Sequence, residues 1–186
     1  MPRCKNCKET YEQYEFNNKF CLELDCQTQK ALFKLRKIKK QEQVEWKQRK
    51  KEGKENLKTW EDYFQATLKV FNTFIRERDK KNPCISCDKP AGQYKLTSGH
   101  FHPQGTYRSI ALDEDNAHGQ CWFNCNKNKH GNITEYRPRL IQKIGLKRVE
   151  ELDKRRNEVK KHTIPELIIL KQEYKEKIRI LKQQEN

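Results

Sequence analysis

Apolar residues are scarce in this chain. They make up 33% of its 186 residues, against 36% charged. One large hydrophobic core is therefore excluded, and several small cores joined by solvated helices are expected, some of them helped by metal. No run of eighteen apolar residues occurs, so no segment reads as a membrane-spanning helix and no membrane partner is expected. The first residues, MPRCKNCKE, lack the apolar stretch of a secretory signal, which points to a cytoplasmic protein. Internal repeats and Ser/Gly linkers are absent as well. Carboxylates are in deficit: 26 Asp and Glu face 41 Lys and Arg, a formal net charge of +15. An excess of that size implies a polyanionic partner, and nucleic acid is the leading candidate.

Cysteine, by contrast, is plentiful. The eight thiols fall into two sets of four, each opening on a Cys-x-x-Cys pair. Cys4, Cys7, Cys21 and Cys26 form the first set, and Cys84, Cys87, Cys121 and Cys125 the second. A disulfide framework would need an oxidising compartment. The paired spacing is that of zinc sites, so two structural Zn2+ ions are expected. Binding two zinc ions through eight thiolates would leave the chain strongly basic, at about +11.

These features divide the chain into four regions and predict an α+β protein that is mostly helical. Residues 1–27 read as a small zinc ribbon or finger, with Tyr11, Tyr14, Phe16 and Phe20 covering a tiny core. Residues 28–58 read as a long basic helix with twelve Lys or Arg and four Glu. Its thin apolar stripe is Ala31, Leu32, Leu35, Ile38 and Trp46, and Gly53 is expected to break it. Residues 59–152 read as the core region, opening on a helix capped by Thr59 and Asp62. Trp60, Tyr63, Phe64, Leu68, Phe71, Phe74 and Ile75 give that helix the strongest period in the chain. Tyr107 to Leu112 suggests a strand, and a short helix is expected from Asn116 or Cys121. Two further helices follow, divided by Gly145, with Leu140, Ile141, Ile144, Leu146, Val149 and Leu152 on their apolar face. Residues 153–186 close with a helix capped by Thr163 and Glu166. Its stripe could pack on the body or pair with a second copy.

Between the second pair of cysteine pairs lies a polar loop with His100, His102, Asn116 and His118. A Cys4 zinc is coordinatively closed, so chemistry would need another ion or a side chain. His100, in SGHF, can take a proton near neutral pH. Asn116 could hold His100 or its loop, and Asn126 could offer an oxygen to a divalent ion. His118 could hydrogen-bond a zinc thiolate instead. Arg108, Lys127, Lys129, Arg137 and Arg139 surround the knot, and Lys34 and Lys37 lie on the basic helix. All seven are candidate phosphate contacts.

The set Cys-x2-Cys, His, Asn and Cys-x3-Cys-Asn resembles the HNH, or ββα-metal, nucleases. GHF, NAHGQC, the run from Cys125 to Asn132 and YRPRLIQKIG are similar to the NinG/Rap recombination proteins of lambdoid phages. The resemblance implies an HNH-like ββα core stapled by zinc and flanked by helices. It implies a structure-specific endonuclease acting on Holliday junctions or D-loops, with Mg2+ or Mn2+ as the working ion. His100 would be the general base, Asn116 the middle residue, and Asn126, His130 or Asn132 the third. Many HNH nucleases carry an acidic ligand just before the histidine. Here Ser98 and Gly99 stand there, so Asp113, Asp115, His102 or His130 would have to substitute. Branched DNA is the implied partner, alongside other recombination proteins and a second copy in a homodimer, inside the infected or lysogenic bacterial host. The rival reading is a non-catalytic zinc protein that binds DNA or RNA, or a scaffold in a recombination complex.

Two independent zinc sites predict a metal count. Wild type should carry two zincs per chain, and Cys4→Ser and Cys84→Ser one each, by elemental analysis of the purified proteins. An unchanged count in either variant would contradict the two-site reading.

Overall fold

A Cys-x-x-Cys pair must turn the backbone tightly if both sulfurs are to reach one point, and each half of the protein contains such a turn, at Cys4–Cys7 and Cys84–Cys87. The structure is a computed structural model that describes residues 1–13, 15–159 and 161–184. It divides into two compact units, Met1–Leu57 and Lys58–Asn186, each with its own core. In the first unit, Tyr11 and Phe20 are buried with Cys4, Cys21 and Cys26, as expected of a segment too short for a conventional core. Phe16 does not join them and is 95% exposed. Tyr14, also expected in that core, lies outside the described residues.

Helix α1, Leu24–Asn56, starts four residues earlier than the charge pattern suggests and takes Cys26 into its first turn. It also runs straight through Gly53, whose carbonyl accepts the cap from the Leu57 N–H. A lone glycine costs a helix only about 1 kcal/mol relative to alanine, too little to end it here. The predicted apolar stripe finds no partner. Leu32, Leu35, Ile38 and Trp46 are exposed, and Cys26 is the one buried residue of α1. Phe33 alone packs back, its ring 6.0 Å from Phe20.

The second unit is built on α2, Trp60–Asp79, whose capping box between Thr59 and Asp62 is formed in both directions. Its apolar face is the largest core of the protein: Phe64, Leu68, Phe71, Phe74 and Ile75 are all buried. After the first cysteine turn come strand β1, Leu96–His100, and strand β2, Ala117–Cys121, paired antiparallel with Ser98 opposite Gly119 and His100 opposite Ala117. Among the described residues this is the only sheet of more than an isolated bridge. Tyr107–Leu112 is not a strand. Arg108–Ile110 is one turn of 3-10 helix, and Ile110, Ala111 and Leu112 are all buried. Alternation is no guide where every neighbour is protein. Asn116 does not open a helix either, since it precedes β2. The expected helical turn follows Cys121, as a π-helical turn over Trp122–Lys127.

Helices α3, Ile133–Ile144, and α4, Leu146–Arg155, are divided by Gly145 at φ +88°, a left-handed conformation that favours glycine. They bury Tyr136, Leu140, Val149 and Leu152 over Ile85, Phe101 and Ile110, while Leu146 stays exposed. Helix α5, Ile164–Gln183, carries the second capping box, Thr163 with Glu166. Its stripe is spent within the chain. Leu167 and Tyr174 are buried against α2, and Leu170, Ile178 and Leu181 pack beside them. Thr67 donates to the Leu167 carbonyl at 3.0 Å, and the Tyr174 hydroxyl to the Leu112 carbonyl at 3.0 Å. The protein is thus mixed α+β and mostly helical, and no described helix is long and apolar enough to cross a membrane.

Leu167 is completely buried in the seam between α2 and α5. Leu167→Ala should therefore cost about 2–5 kcal/mol, read as a lower midpoint in urea. A loss under about 0.5 kcal/mol would mean that α5 does not pack there in solution.

Candidate metal centres and active-site cleft

The two cysteine turns are built alike. The Cys4 N–H donates to the Glu9 carbonyl at 2.8 Å and the Cys84 N–H to that of Lys89 at 2.9 Å. Lys8 and Asp88, at φ +67° and +55°, each return an N–H to the first cysteine's carbonyl at 3.0 Å. The third cysteine then caps the first sulfur: the Cys21 N–H lies 3.3 Å from Cys4 Sγ, and the Cys121 N–H 3.2 Å from Cys84 Sγ. All eight cysteines are free, and within each set of four the ligand atoms lie within 4.8 Å of one another. Four converging thiols with backbone N–H groups on their sulfurs suit thiolates on a tetrahedral zinc. Both clusters could hold a structural Zn2+. Such an ion would close the sheet by tying the turn before β1 to the end of β2.

His100 ends β1. Its ring lies 6.0 Å from that of Phe71, and its Nε2 is 3.0 Å from the Ala111 carbonyl. A carbonyl only accepts, so Nε2 carries the proton and Nδ1 keeps its lone pair. Burial pulls the imidazole pKa down to about 4, and the Ala111 carbonyl offsets this only in part while His118 adds to it. The ring is therefore neutral at physiological pH. It lines an open cleft of about 410 Å³ together with Asn72, Ser98, Gln104, Asn126 and His130. The Oδ1 of Asn72, the Oγ of Ser98 and the Oε1 of Gln104 are buried there without a hydrogen-bond partner. The cleft is thus lined by neutral polar side chains, a donor set suited to water or a hard cation.

Asn116, expected to hold His100 or its loop, does not itself line this cleft. It is fully buried and staples the long loop between the strands. Its Oδ1 accepts from the His102 N–H at 2.8 Å, and its Nδ2 donates to the carbonyls of His102 and Ile110 at 3.1 and 3.0 Å. It positions the loop that presents Ala111 to His100. Asn126 does line the cleft, with its Nδ2 donating to Gln120 Oε1 at 3.0 Å. His130 shares the cleft, whereas Asn132 turns to the Cys125 sulfur at 3.9 Å.

Gln120 explains the residue before His100. Its side chain is fully buried and donates to Ser86 Oγ and the Gly131 carbonyl, both at 2.6 Å. A Cβ at position 99 would fall on that side chain, 2.8 Å from Gln120 Cβ. Gly99 is required by the Gln120 brace, so no acidic residue can stand there. The substitutes considered for it are mostly engaged. Asp113 pairs with Arg155 at 2.8 Å, Asp115 with Arg148, and His102 with Asp153 at 2.9 Å. Only His130 faces the cleft. Among the described residues no third cluster of three His, Cys, Asp or Glu ligands exists beside the two Cys4 sets.

His118 does not reach a thiolate. Its Nε2 donates to the Asp115 carbonyl at 3.1 Å, leaving Nδ1 to accept from Arg78 at 3.0 Å. Arg78 also clamps Asp79, the last residue of α2. Asp79 in turn accepts from the Gly119 N–H at 2.8 Å, and Lys143 lies 3.6 Å away. A Cβ on Gly119 would meet Asp79 Cβ at 2.8 Å, so the close approach needs glycine. This clamp was not foreseen. Its only signal is the second of two acids in the basic run RERDKK, followed forty residues later by a glycine within a strand.

The candidate phosphate contacts separate into two groups. Lys34, Lys37, Lys127 and Lys129 are exposed. Arg108 pairs with Glu61 at 3.0 Å, Arg137 with Asp153 at 2.7 Å, and Arg139 with Asp88. The three arginines are thus committed to carboxylates within the protein.

A two-stranded sheet beside one Cys4 cluster, with a second Cys4 cluster leading into a basic helix, defines a small protein of mixed α+β class whose two cysteine clusters could each hold zinc. The chain belongs to the NinG family, matching the family described as Bacteriophage Lambda NinG protein over residues 1–185. It is 32% identical to protein ninG of Escherichia phage lambda over 195 residues, covering 97% of this chain and 93% of that protein. The ninG proteins of Salmonella phage P22 and Escherichia phage 933W are 32% and 31% identical, with the same coverage of both chains. No solved structure matches.

Burial would raise the Asp79 pKa, but the charges and hydrogen bonds of Arg78, with Lys143 nearby, outweigh it and hold the carboxyl well below its usual range. A depressed acid contributes stability that is complete above its unfolded value, about 3.9, and drains only as pH falls through the folded one. Asp79→Asn should therefore destabilise by the same amount at every pH from about 5 to 8, by urea titration. A penalty that is smaller at pH 8 and grows toward pH 5 would signal a raised carboxyl pKa and contradict the depressed one.

Proposed function

We propose that this protein is a structure-specific endonuclease. It hydrolyses phosphodiester bonds in branched recombination intermediates such as Holliday junctions or D-loops, in the cytoplasm of the phage's bacterial host. The observation that carries the reading is His100: a neutral imidazole with its Nδ1 lone pair free, on an open cleft, in a strongly basic chain. The order strand, strand, helical turn around it supports an HNH-like, ββα-metal assignment, with His100 on β1 and Asn126 on the helical turn.

In this mechanism the Nδ1 of His100 takes the proton from a water as its oxygen attacks phosphorus. The ester bond to the departing oxygen breaks, and that oxygen is protonated from solvent. The carbonyl of Ala111 fixes the tautomer, and Asn116 fixes the loop that carries Ala111. Asn126, braced by Gln120, is the third member, with His130 beside it. A Mg2+ or Mn2+ ion bound in the cleft would supply positive charge to the phosphate. Asn72, Ser98, Gln104 and Asn126 would hold it through neutral oxygens. A donor set without carboxylates suits an ion that enters with the DNA. The exposed lysines, Lys34, Lys37, Lys127 and Lys129, contact the backbone, so binding weakens steeply with salt.

The competing reading is a zinc-dependent protein that binds DNA or RNA and does not cut. The missing acidic ligand beside His100 favours it. Mg2+-dependent cleavage of labelled junctions separates the two. His100→Ala should slow cutting by about 10²–10⁴-fold while leaving junction affinity within about twofold. Equal cutting by both proteins would remove His100 from the chemistry. Tight binding without cutting by wild type would establish the binding-only reading.

A further inference from the structure

The segment between Cys121 and Cys125 carries two large aromatic residues that the described residues leave partly exposed. Both cysteines are buried, whereas Trp122 and Phe123 are 36% and 57% exposed. The longer spacing of this pair is taken up by the π-helical turn Trp122–Lys127, in which the Asn128 N–H bonds the Phe123 carbonyl at 3.0 Å. The extra residue puts the aromatic pair on the outside of the metal-stapled turn. Insertions of this kind disturb a helix and are common where a side chain must be presented for function. The two rings lie side by side, centroids 6.4 Å apart and planes 27° from parallel. The backbone N–H of Trp122 donates to the Lys95 carbonyl at 2.9 Å, so the turn that carries the two rings is tied to the backbone just before β1.

The surroundings say what would cover it. The ammonium groups of Lys95 and Lys127 each stand 5.2 Å from the centre of the Trp122 ring. An apolar protein surface docking here would have to strip water from two charges. A nucleobase would not, because its flat face stacks on the indole while its flanking phosphates meet the two lysines. Paired bases are already stacked on their neighbours, so only unpaired bases are free to take the position.

We propose that Trp122 and Phe123 form a stacking platform for unpaired nucleobases, with Lys95 and Lys127 clamping the adjoining phosphates. The platform rests on the reading of this protein as a DNA-binding protein but not on its cutting DNA. It gives the chain a means of distinguishing a branch point from plain duplex.

The test uses the full chain with its zinc, a DNA flap carrying 2-aminopurine at its unpaired bases, and a duplex of equal length. Wild type should change the 2-aminopurine fluorescence and prefer the flap to the duplex. Trp122→Ala should reduce that preference by about 5- to 150-fold, the range expected for one lost base stack, with duplex affinity nearly unchanged. Trp122→Phe should retain most of the preference. Zinc content is measured in parallel because Trp122 adjoins Cys121. Lys95→Gln, off the cysteine turn, should weaken flap binding on its own and reduce its salt dependence. An unchanged flap preference in both Trp122→Ala and Lys95→Gln overturns the platform. A wild type that binds the flap and responds in fluorescence but never cuts supports the platform and sinks the endonuclease reading. A wild type that binds neither DNA sinks both.

Discussion

Four sulfurs held within 4.8 Å of one another govern the second unit. Cys84 and Cys87 lie on the turn after α2, and Cys121 and Cys125 flank the end of β2 and the helical turn beyond it. Bringing them together forces the chain between them to fold back on itself. The result is a two-stranded sheet with His100 at one end. Two short strands are not stable alone in water. Here the staple at one end, α2 packed beside the sheet and the Asp79 clamp on Gly119 supply what the strands lack. The first unit applies the same device with less around it, and its core is hardly more than the cluster itself.

Polar residues do the work inside this fold that apolar residues do in larger ones. Asn116, Gln120, His118 and Asp79 are all buried, and each is bonded on several sides. Such groups are costly to bury and costlier to leave half-satisfied, so they specify one arrangement of the loop rather than many. Two glycines follow from them. Gly99 leaves room for Gln120, and Gly119 lets Asp79 reach a strand N–H. The same constraint shapes the cleft. The brace that orients Asn126 is also what prevents an acidic side chain beside His100. The cleft is therefore lined by neutral donors, and the negative charge nearby is bound up in pairs with arginine.

The two units also treat charge differently. Helix α1 leaves its lysines and its thin apolar stripe exposed. Around the second cluster the arginines are held by Glu61, Asp153 and Asp88, while Lys127, beside Trp122, and Lys129 remain exposed. Surface pairs of this kind contribute little stability, about 0–1 kcal/mol each, but they decide which cations are left exposed.

The sequence alone determined the parts that rest on local chemistry. Paired cysteine spacing gave both metal clusters, Ser/Thr-x-x-acid signatures gave the caps of α2 and α5, and the aromatic period gave the face of α2. Each depends on residues a few positions apart. Tertiary structure decided the rest. It turned Tyr107–Leu112 into a buried 3-10 turn, carried α1 through Gly53, and spent the stripe of α5 on α2. It also assigned the polar residues of the loop. Asn116 became a loop staple, His118 joined Asp79 and Arg78 rather than a thiolate, and His100 was left with a free nitrogen on the cleft. Those outcomes depend on which groups meet in space, from a few residues apart within the loop to a hundred apart between α2 and α5, and such hydrogen-bond partners leave no period or spacing to read.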